Sequence, residues 1–170
     1  MSNYQQGNLS AFEHLYIRYK DASYRYFLRQ CQQQQLAEDL HQELWTKVIK
    51  HNASYQEKAQ FKLWLYTIAH NIVIDHWRKP CAINQDDPDH ITSNTQPDSD
   101  LEQQRLTTRL SYCLKKLPSL QLETFLLNQE SGLTAQQIAQ VISASQEATK
   151  SRLRYAFKAL RQCLSLIYKE

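Results

Sequence analysis

Near the end of this chain, Lys150, Arg154, Lys158 and Arg161 recur every three or four residues, the spacing that stacks side chains along one helix face. Ser151 lies beside that stripe and Tyr155 further round, while Leu153, Ala156, Phe157, Leu160 and Leu164 cover the other side. Upstream, Thr134 followed by Gln137 forms a capping-box pattern that opens a shorter apolar stretch, Ile138, Val141 and Ile142. Ser143, Ala144 and Ser145 turn between the two stretches, with Ser145 placed to cap the second. A short helix, a tight turn and a longer helix with a cationic outer face is helix-turn-helix geometry. Such a second helix fits the DNA major groove, its first residues meeting base edges and its further Lys and Arg meeting phosphates. Glu147 in the first turn favours the helix dipole, but on the DNA side it must read a base amino group or cost affinity. Taken alone, the same stripe also fits the solvated face of an ordinary amphipathic helix.

A second stretch carries aromatic as well as cationic chemistry. Phe61-Lys62-Leu63-Trp64-Leu65-Tyr66, then His70, Asn71, Trp77, Arg78 and Lys79, interleave rings with cations and amides. Rings can stack on unpaired bases and cations can track a phosphate backbone, the logic of single-strand binding. Asn71 and Arg78, seven apart, share a stripe distinct from Phe61 and Trp64, whose spacing also fits a core. Enzyme chemistry finds little footing: there is no H-E-x-x-H, no glycine-rich phosphate loop, and the carboxylates are scattered. No catalytic residue, metal set or cofactor is expected. Cys31, Cys81, Cys113 and Cys163 lie far apart without zinc spacing, so reduced, mostly buried thiols in a cytoplasm are expected. No run resembles a signal peptide or approaches the roughly 20 apolar residues of a bilayer span, so a cytoplasmic protein without membrane insertion is expected.

These groups must be positioned by helices. The chain has only 2 Gly and 4 Pro in 170 residues, which suits long helices and few tight turns. Three periodic blocks precede residue 80. Phe12, Leu15, Tyr16, Tyr19, Tyr26 and Phe27 predict a helix over about 9–31, followed by a Gln32–Gln35 connector. Leu36, Leu40, Leu44 and Val48 mark a second helix, with Asp39, Gln42 and Glu43 pointing elsewhere. After a polar stretch, 51–60, a third helix runs over 61–79, with Val73 and Trp77 widening its apolar surface as if packed on two sides; Pro80 stops it. From Pro80 to Gln104 there is no Lys or Arg but six acids, so a chain of net +3 is +9 without that stretch. Two basic bodies tied by an acidic, Pro-rich strap suit polyanionic partners. The strap is expected to be an extended linker. Beyond it, helices are predicted over about 101–117, from a cap at Ser119, from a cap at Thr134, and over 146–169. The expectation is therefore an all-α chain: a bundle over 1–79, a flexible linker over 80–100, and a second bundle over 101–170 containing the helix-turn-helix.

The stretch Ala37-Glu38-Asp39-Leu40-His41-Gln42-Glu43, then Phe61-x-x-Trp64-Leu65-Tyr66-x-Ile68-Ala69-x-Asn71-x-x-x-Asp75-x-x-Arg78, resembles region 2 of the extracytoplasmic-function sigma factors, a group of the sigma-70 family. Leu117-Pro118, Gly132-Leu133-Thr134-x-x-Gln137-Ile138-Ala139, Lys150-Ser151-Arg152-Leu153, Ala156 and Lys158-Ala159-Leu160 resemble region 4 of the same family. The likeness spans nearly the whole chain except the strap. It implies a non-catalytic subunit that directs core RNA polymerase to promoters. By this likeness Asp39, Gln42 and Glu43 would bind the clamp of the largest polymerase subunit. The loop from Asn52 to Gln60, with Tyr55, would hold a flipped base of the −10 element, at a cost of a few kcal/mol that stacking must offset. Lys62, Asn71, Arg78 and Lys79 would guide that strand. Lys150, Ser151 and Arg154 would lie nearest the −35 bases, with Tyr155 and Lys158 beside them and Arg152 contacting phosphate or the protein itself. The linker would thread through polymerase, an anti-sigma factor is a further expected partner, and no regulatory domain is expected after Glu170. Ser143 where the family has Gly, Ala144 for an aliphatic residue and Thr149 for Val are departures that bear on packing of the second bundle and its −35 preference. The competing class is a stand-alone helix-turn-helix regulator on duplex operator DNA. That class ordinarily needs two-fold symmetry, and nothing in the sequence marks a dimer seam.

Overall fold

The computed structural model describes residues 1–56, 60–78 and 101–167, with side chains at all of these but 101–104 and 167. Among them every regular element is helical: α1 (Ser2–Gln5), α2 (Leu9–Cys31), α3 (Gln34–Lys50), a 3-10 turn (Asn52–Ser54), α4 (Phe61–Arg78), α5 (Leu101–Lys115), α6 (Ser119–Gln129), α7 (Ala135–Val141) and α8 (Gln146–Ile167). The all-α expectation holds. The strap reading, residues 80–100, lies outside the described residues.

Local chemistry sets most boundaries. Asn8 caps α2 by accepting from the Ala11 amide at 3.2 Å. Gln32 ends it in the left-handed region (φ 59°), returning its amide to the Leu28 carbonyl. That turn shortens the expected Gln32–Gln35 connector to two residues, because Gln34 and Gln35 already belong to α3. The α1 turn was not legible as a periodicity; it is tied down when the Gln5 amide donates to the Tyr55 carbonyl at 3.0 Å. Ser119 is not a cap: Pro118 precedes α6 as its N-cap, with no side-chain bond. Thr134 and Gln137 do form the reciprocal capping box, and Ser145 accepts from the Ala148 amide at 3.1 Å.

In α1–α4, Ala37, Leu40, Leu44 and Val48 of α3 and Leu65, Tyr66, Ala69 and Ile72 of α4 close on Tyr26 and Phe27 of α2. Edge-on ring pairs tie the helices: Tyr26 with Tyr66 at 5.8 Å, Phe12 with Trp45 at 5.9 Å. The expected double-sided burial of α4 is half right. Val73 is buried, but Trp77 is 57% exposed.

In α5–α8 the core is aliphatic: Leu114, Leu117, Leu122, Leu126, Leu127, Leu133, Ile138, Val141 and Leu160, with Phe125 edge-on to Phe157 at 5.3 Å. Cys113 and Cys163 form a disulfide between α5 and α8, their Cα atoms 5.8 Å apart. This corrects the expectation of reduced thiols. Fifty residues separate the pair in sequence, so linear spacing held no sign that packing of α5 on α8 would bring them together. Cys31 remains a free buried thiol, pushed up to about 11 by burial, and Cys81 lies outside the described residues. Among the described residues, no helix is long and apolar enough to cross a membrane.

Candidate nucleic-acid and polymerase interfaces

The α7–turn–α8 unit presents its cations outward. Lys150, Arg154 and Lys158 are exposed on α8, Ser151 and Arg152 are half-buried, and Tyr155 is 52% exposed with the Arg154 guanidinium 5.3 Å from its ring centre. Ser143 takes the left-handed conformation (φ 51°) that glycine adopts without strain, and the Ala144 amide then reaches the Ala139 carbonyl at 2.9 Å. Thr149 is fully buried, and its hydroxyl is satisfied by the Ser145 carbonyl at 2.9 Å. The Ser143 and Thr149 departures from the family pattern are therefore accommodated, one in the turn and one in the first turn of α8.

On α3 the apolar stripe faces inward and leaves Asp39, Gln42 and Glu43 together on the exposed side, with Glu43 bridged to Lys47 at 2.8 Å. Between that stripe and the core, the Trp45 indole N–H donates to His41 Nε2 at 3.0 Å, and burial lowers the basicity of the His41 ring.

The residues expected to handle a single strand do not share one environment. Asn71 and Arg78 are exposed on α4. Asn52 and Tyr55 are half-buried, and Tyr55 packs edge-on to Trp64 at 5.3 Å and Phe61 at 6.2 Å. Lys62 turns towards the other half of the molecule, where its Nζ donates to the Gly132 carbonyl at 3.1 Å. Lys79 and residues 57–59 of the loop lie outside the described residues.

Several groups here escaped sequence reasoning. Beside Lys62 opens a cleft of about 600 Å³ lined by Arg18, Tyr19, Gln60, Phe61 and Glu130. Tyr66 also lines it; its hydroxyl is buried without a hydrogen-bond partner among the described residues, and burial raises its pKa. Arg18, Arg25 and Arg29 stand seven and four apart along α2, a periodicity that was readable in the sequence. Glu123, beside Thr124 among the buried leucines of α6, is only 5% exposed. It had no such signal, because its partners come from α2 and α4: Tyr26 donates to it at 3.0 Å and His70 Nδ1 at 2.6 Å.

Comparison with known proteins gives one consistent likeness. The family model described as Sigma-70 region 2 matches residues 15–80, and that described as Sigma-70, region 4 matches residues 113–162. The chain is 28% identical over 168 residues to the ECF RNA polymerase sigma factor SigK of Mycobacterium sp. strain KMS, covering 94% of this chain and 86% of that one. It is also 28% identical over 167 residues to SigK of Mycobacterium bovis strain BCG, covering 92% and 87%. Among solved structures it superposes on the sigma factor RpoE of Bartonella quintana, solved with the anti-sigma factor NepR, at TM-score 0.77 and 20% identity, covering 92% of this chain and 98% of that one. CnrH, solved with the cytosolic domain of CnrY, gives TM-score 0.73 at 19% identity, covering 97% and 94%.

Proposed function

Because this chain belongs to the extracytoplasmic-function group of the sigma-70 family and directs RNA polymerase to promoters, we propose that its two bundles divide the promoter between them. The bundle of residues 1–79 carries region 2, holding the polymerase clamp and capturing the opened −10 element. The bundle of residues 101–170 carries region 4 and reads the −35 element as duplex, and residues 80–100 link them. The chain acts in the cytoplasm, where polymerase is, and performs no catalysis of its own.

The observation that carries this reading is the separation of two exposed stripes of opposite chemistry. An acidic and amide stripe on α3 (Asp39, Gln42, Glu43) suits a basic protein surface, and a cationic stripe on α8 suits DNA. On α8, Lys150, Ser151 and Arg154 lie in the N-terminal turns that enter a major groove, with Arg152, Tyr155 and Lys158 towards the backbone. On α4, Asn71 and Arg78, with Lys79 next to them in sequence, guide the displaced strand, while Asn52 and Tyr55 flank the base pocket and Lys62 joins them once released from Gly132. An anti-sigma partner, such as NepR in the RpoE complex, is extended to this chain as well.

Run-off transcription with purified core polymerase, with and without the chain, tests the assignment: transcripts are expected only with it. Charge reversal at Asp39 and Glu43 is expected to abolish co-purification with core while leaving helicity intact. Unchanged co-purification would remove the α3 stripe from the interface.

A further inference from the structure

The exposed side of α3 is backed by a ring assembly that turns on one imidazole. The Trp45 indole N–H can only donate, so the His41 Nε2 that it reaches at 3.0 Å must offer a lone pair, and the neutral ring carries its proton on Nδ1. Ser23 of α2 stands 3.1 Å from the same Nε2, yet its one hydroxyl hydrogen is directed to the Tyr19 and Lys20 carbonyls, at 2.8 and 3.0 Å. Ser23 therefore keeps lone pairs for an N–H that the neutral His41 does not have at Nε2.

Trp45 is only 6% exposed, and its ring meets Tyr16 at 4.9 Å and Phe12 at 5.9 Å, both edge-on. On α3 it lies three residues past Gln42 and four before Ile49, so it borders the stripe of Asp39, Gln42 and Glu43. Ile49 and Tyr16 are exposed, giving that stripe an apolar margin. Apolar area beside polar groups is the make-up of a protein-docking face, and the indole ties the margin to the stripe.

A proton on Nε2 would set an N–H against the Trp45 N–H, two donors with no acceptor between them, while Ser23 is placed to take it. The indole donor would then be buried without a partner. Burial holds the His41 ring below its ordinary 6.5, ahead of the opposing pull of a Lys20 backbone bond and the Asp21 charge. The charged and titratable groups on this side are Lys20, Asp21 and Tyr24 of α2, the Tyr24 ring 5.7 Å away, and Glu38 of α3. Because the fold favours the neutral ring, the arrangement is complete above about pH 6.5 and is lost progressively as the pH falls below it.

We propose that His41 is a positioning residue for polymerase docking: as the neutral ring it holds Trp45, and through it the Tyr16 and Ile49 margin, beside the acidic stripe. A proton on Nε2 hands the imidazole to Ser23 and lets the margin go, so the chain leaves core polymerase more readily in acid. The inference rests on the reading that α3 faces the clamp.

The test titrates binding of the full chain to immobilised core polymerase from about pH 7.5 to about 5.5, the range in which histidine changes charge, with circular dichroism reporting that each variant folds. Wild type should weaken about tenfold more than His41→Gln over that range, because a glutamine oxygen accepts the indole N–H and takes no proton. His41→Leu, which offers no acceptor, should bind about tenfold more weakly at the neutral end, a loss that His41→Gln should mostly recover. Trp45→Phe keeps a ring but has no N–H to place, so its pH profile should follow that of His41→Gln. In the free chain, the Trp45 indole N–H resonance should move with the His41 ring through one midpoint below pH 6.5. Parallel profiles for wild type and His41→Gln, with charge reversal at Asp39 and Glu43 still blocking binding, would overturn the positioning role and leave the α3 reading standing. Binding indifferent to that charge reversal would overturn both.

Discussion

The two bundles solve the same problem, a small core that must hold an exposed binding stripe, by different means. The first packs rings: Phe12, Tyr16, Tyr26, Phe27, Trp45 and Tyr66 meet in stacked and edge-on pairs across three helices. The second packs leucines and adds a covalent tie, Cys113–Cys163, between its first and last helices. Aromatic contacts carry area and angular preference, so a few of them hold α2, α3 and α4 in register. Leucines pack well but specify position less sharply; in a bundle of about 70 residues a disulfide supplies what a small core lacks. The division also suits the tasks. Region 2 needs rings near the strand it opens, whereas region 4 needs one straight helix, and the tie to α5 anchors the far end of α8.

That contrast can be broken in order of expected effect. Phe27→Ala, at a fully buried ring of the first bundle, should cost roughly 3–5 kcal/mol in denaturant unfolding. Polymerase binding should fall with it. Reducing the disulfide, or Cys113→Ser with Cys163→Ser, should cost roughly 2–4 kcal/mol and should shift the unfolding of the second bundle first. A shift confined to the first bundle would contradict the division. Lys150→Ala and Arg154→Ala should leave stability within about 0.5 kcal/mol, since both are exposed, yet weaken −35-dependent transcription by about 1–3 kcal/mol each. Equal loss on scrambled −35 DNA would make them phosphate contacts only. Ser143→Gly should stabilise by about 1 kcal/mol, because glycine enters φ 51° without the Cβ clash that serine bears there. The melting temperature of the second bundle checks it.

Much of the candidate binding surface was already legible. The α8 stripe, the Thr134 capping box and the exposed side of α3 follow from spacing alone, because helical period and capping are local properties of a few neighbouring residues. Where the reading failed, the deciding partner was distant. Trp77 has core spacing on α4, yet no described helix covers it, so it stays in water. Ser119 has a capping side chain, but Pro118 already holds an extended backbone at φ −55°, ψ 142° and starts the helix one residue early. The contact of Lys62 with the Gly132 carbonyl, 70 residues away, likewise had no sign in the sequence.

By itself, then, the order of residues determined helix positions, the outward faces of α3 and α8 and the family to which the chain belongs. Each depends on interactions within a turn or two of helix, or on a pattern written along the chain. Only the tertiary structure decided that Cys113 meets Cys163, that Glu123 is buried against Tyr26 and His70, and that region 4 lies over the donors of region 2. Those pairings span 50 to 97 residues and arise when separate helices bury their apolar faces against one another. No local period records which polar groups that burial will bring together.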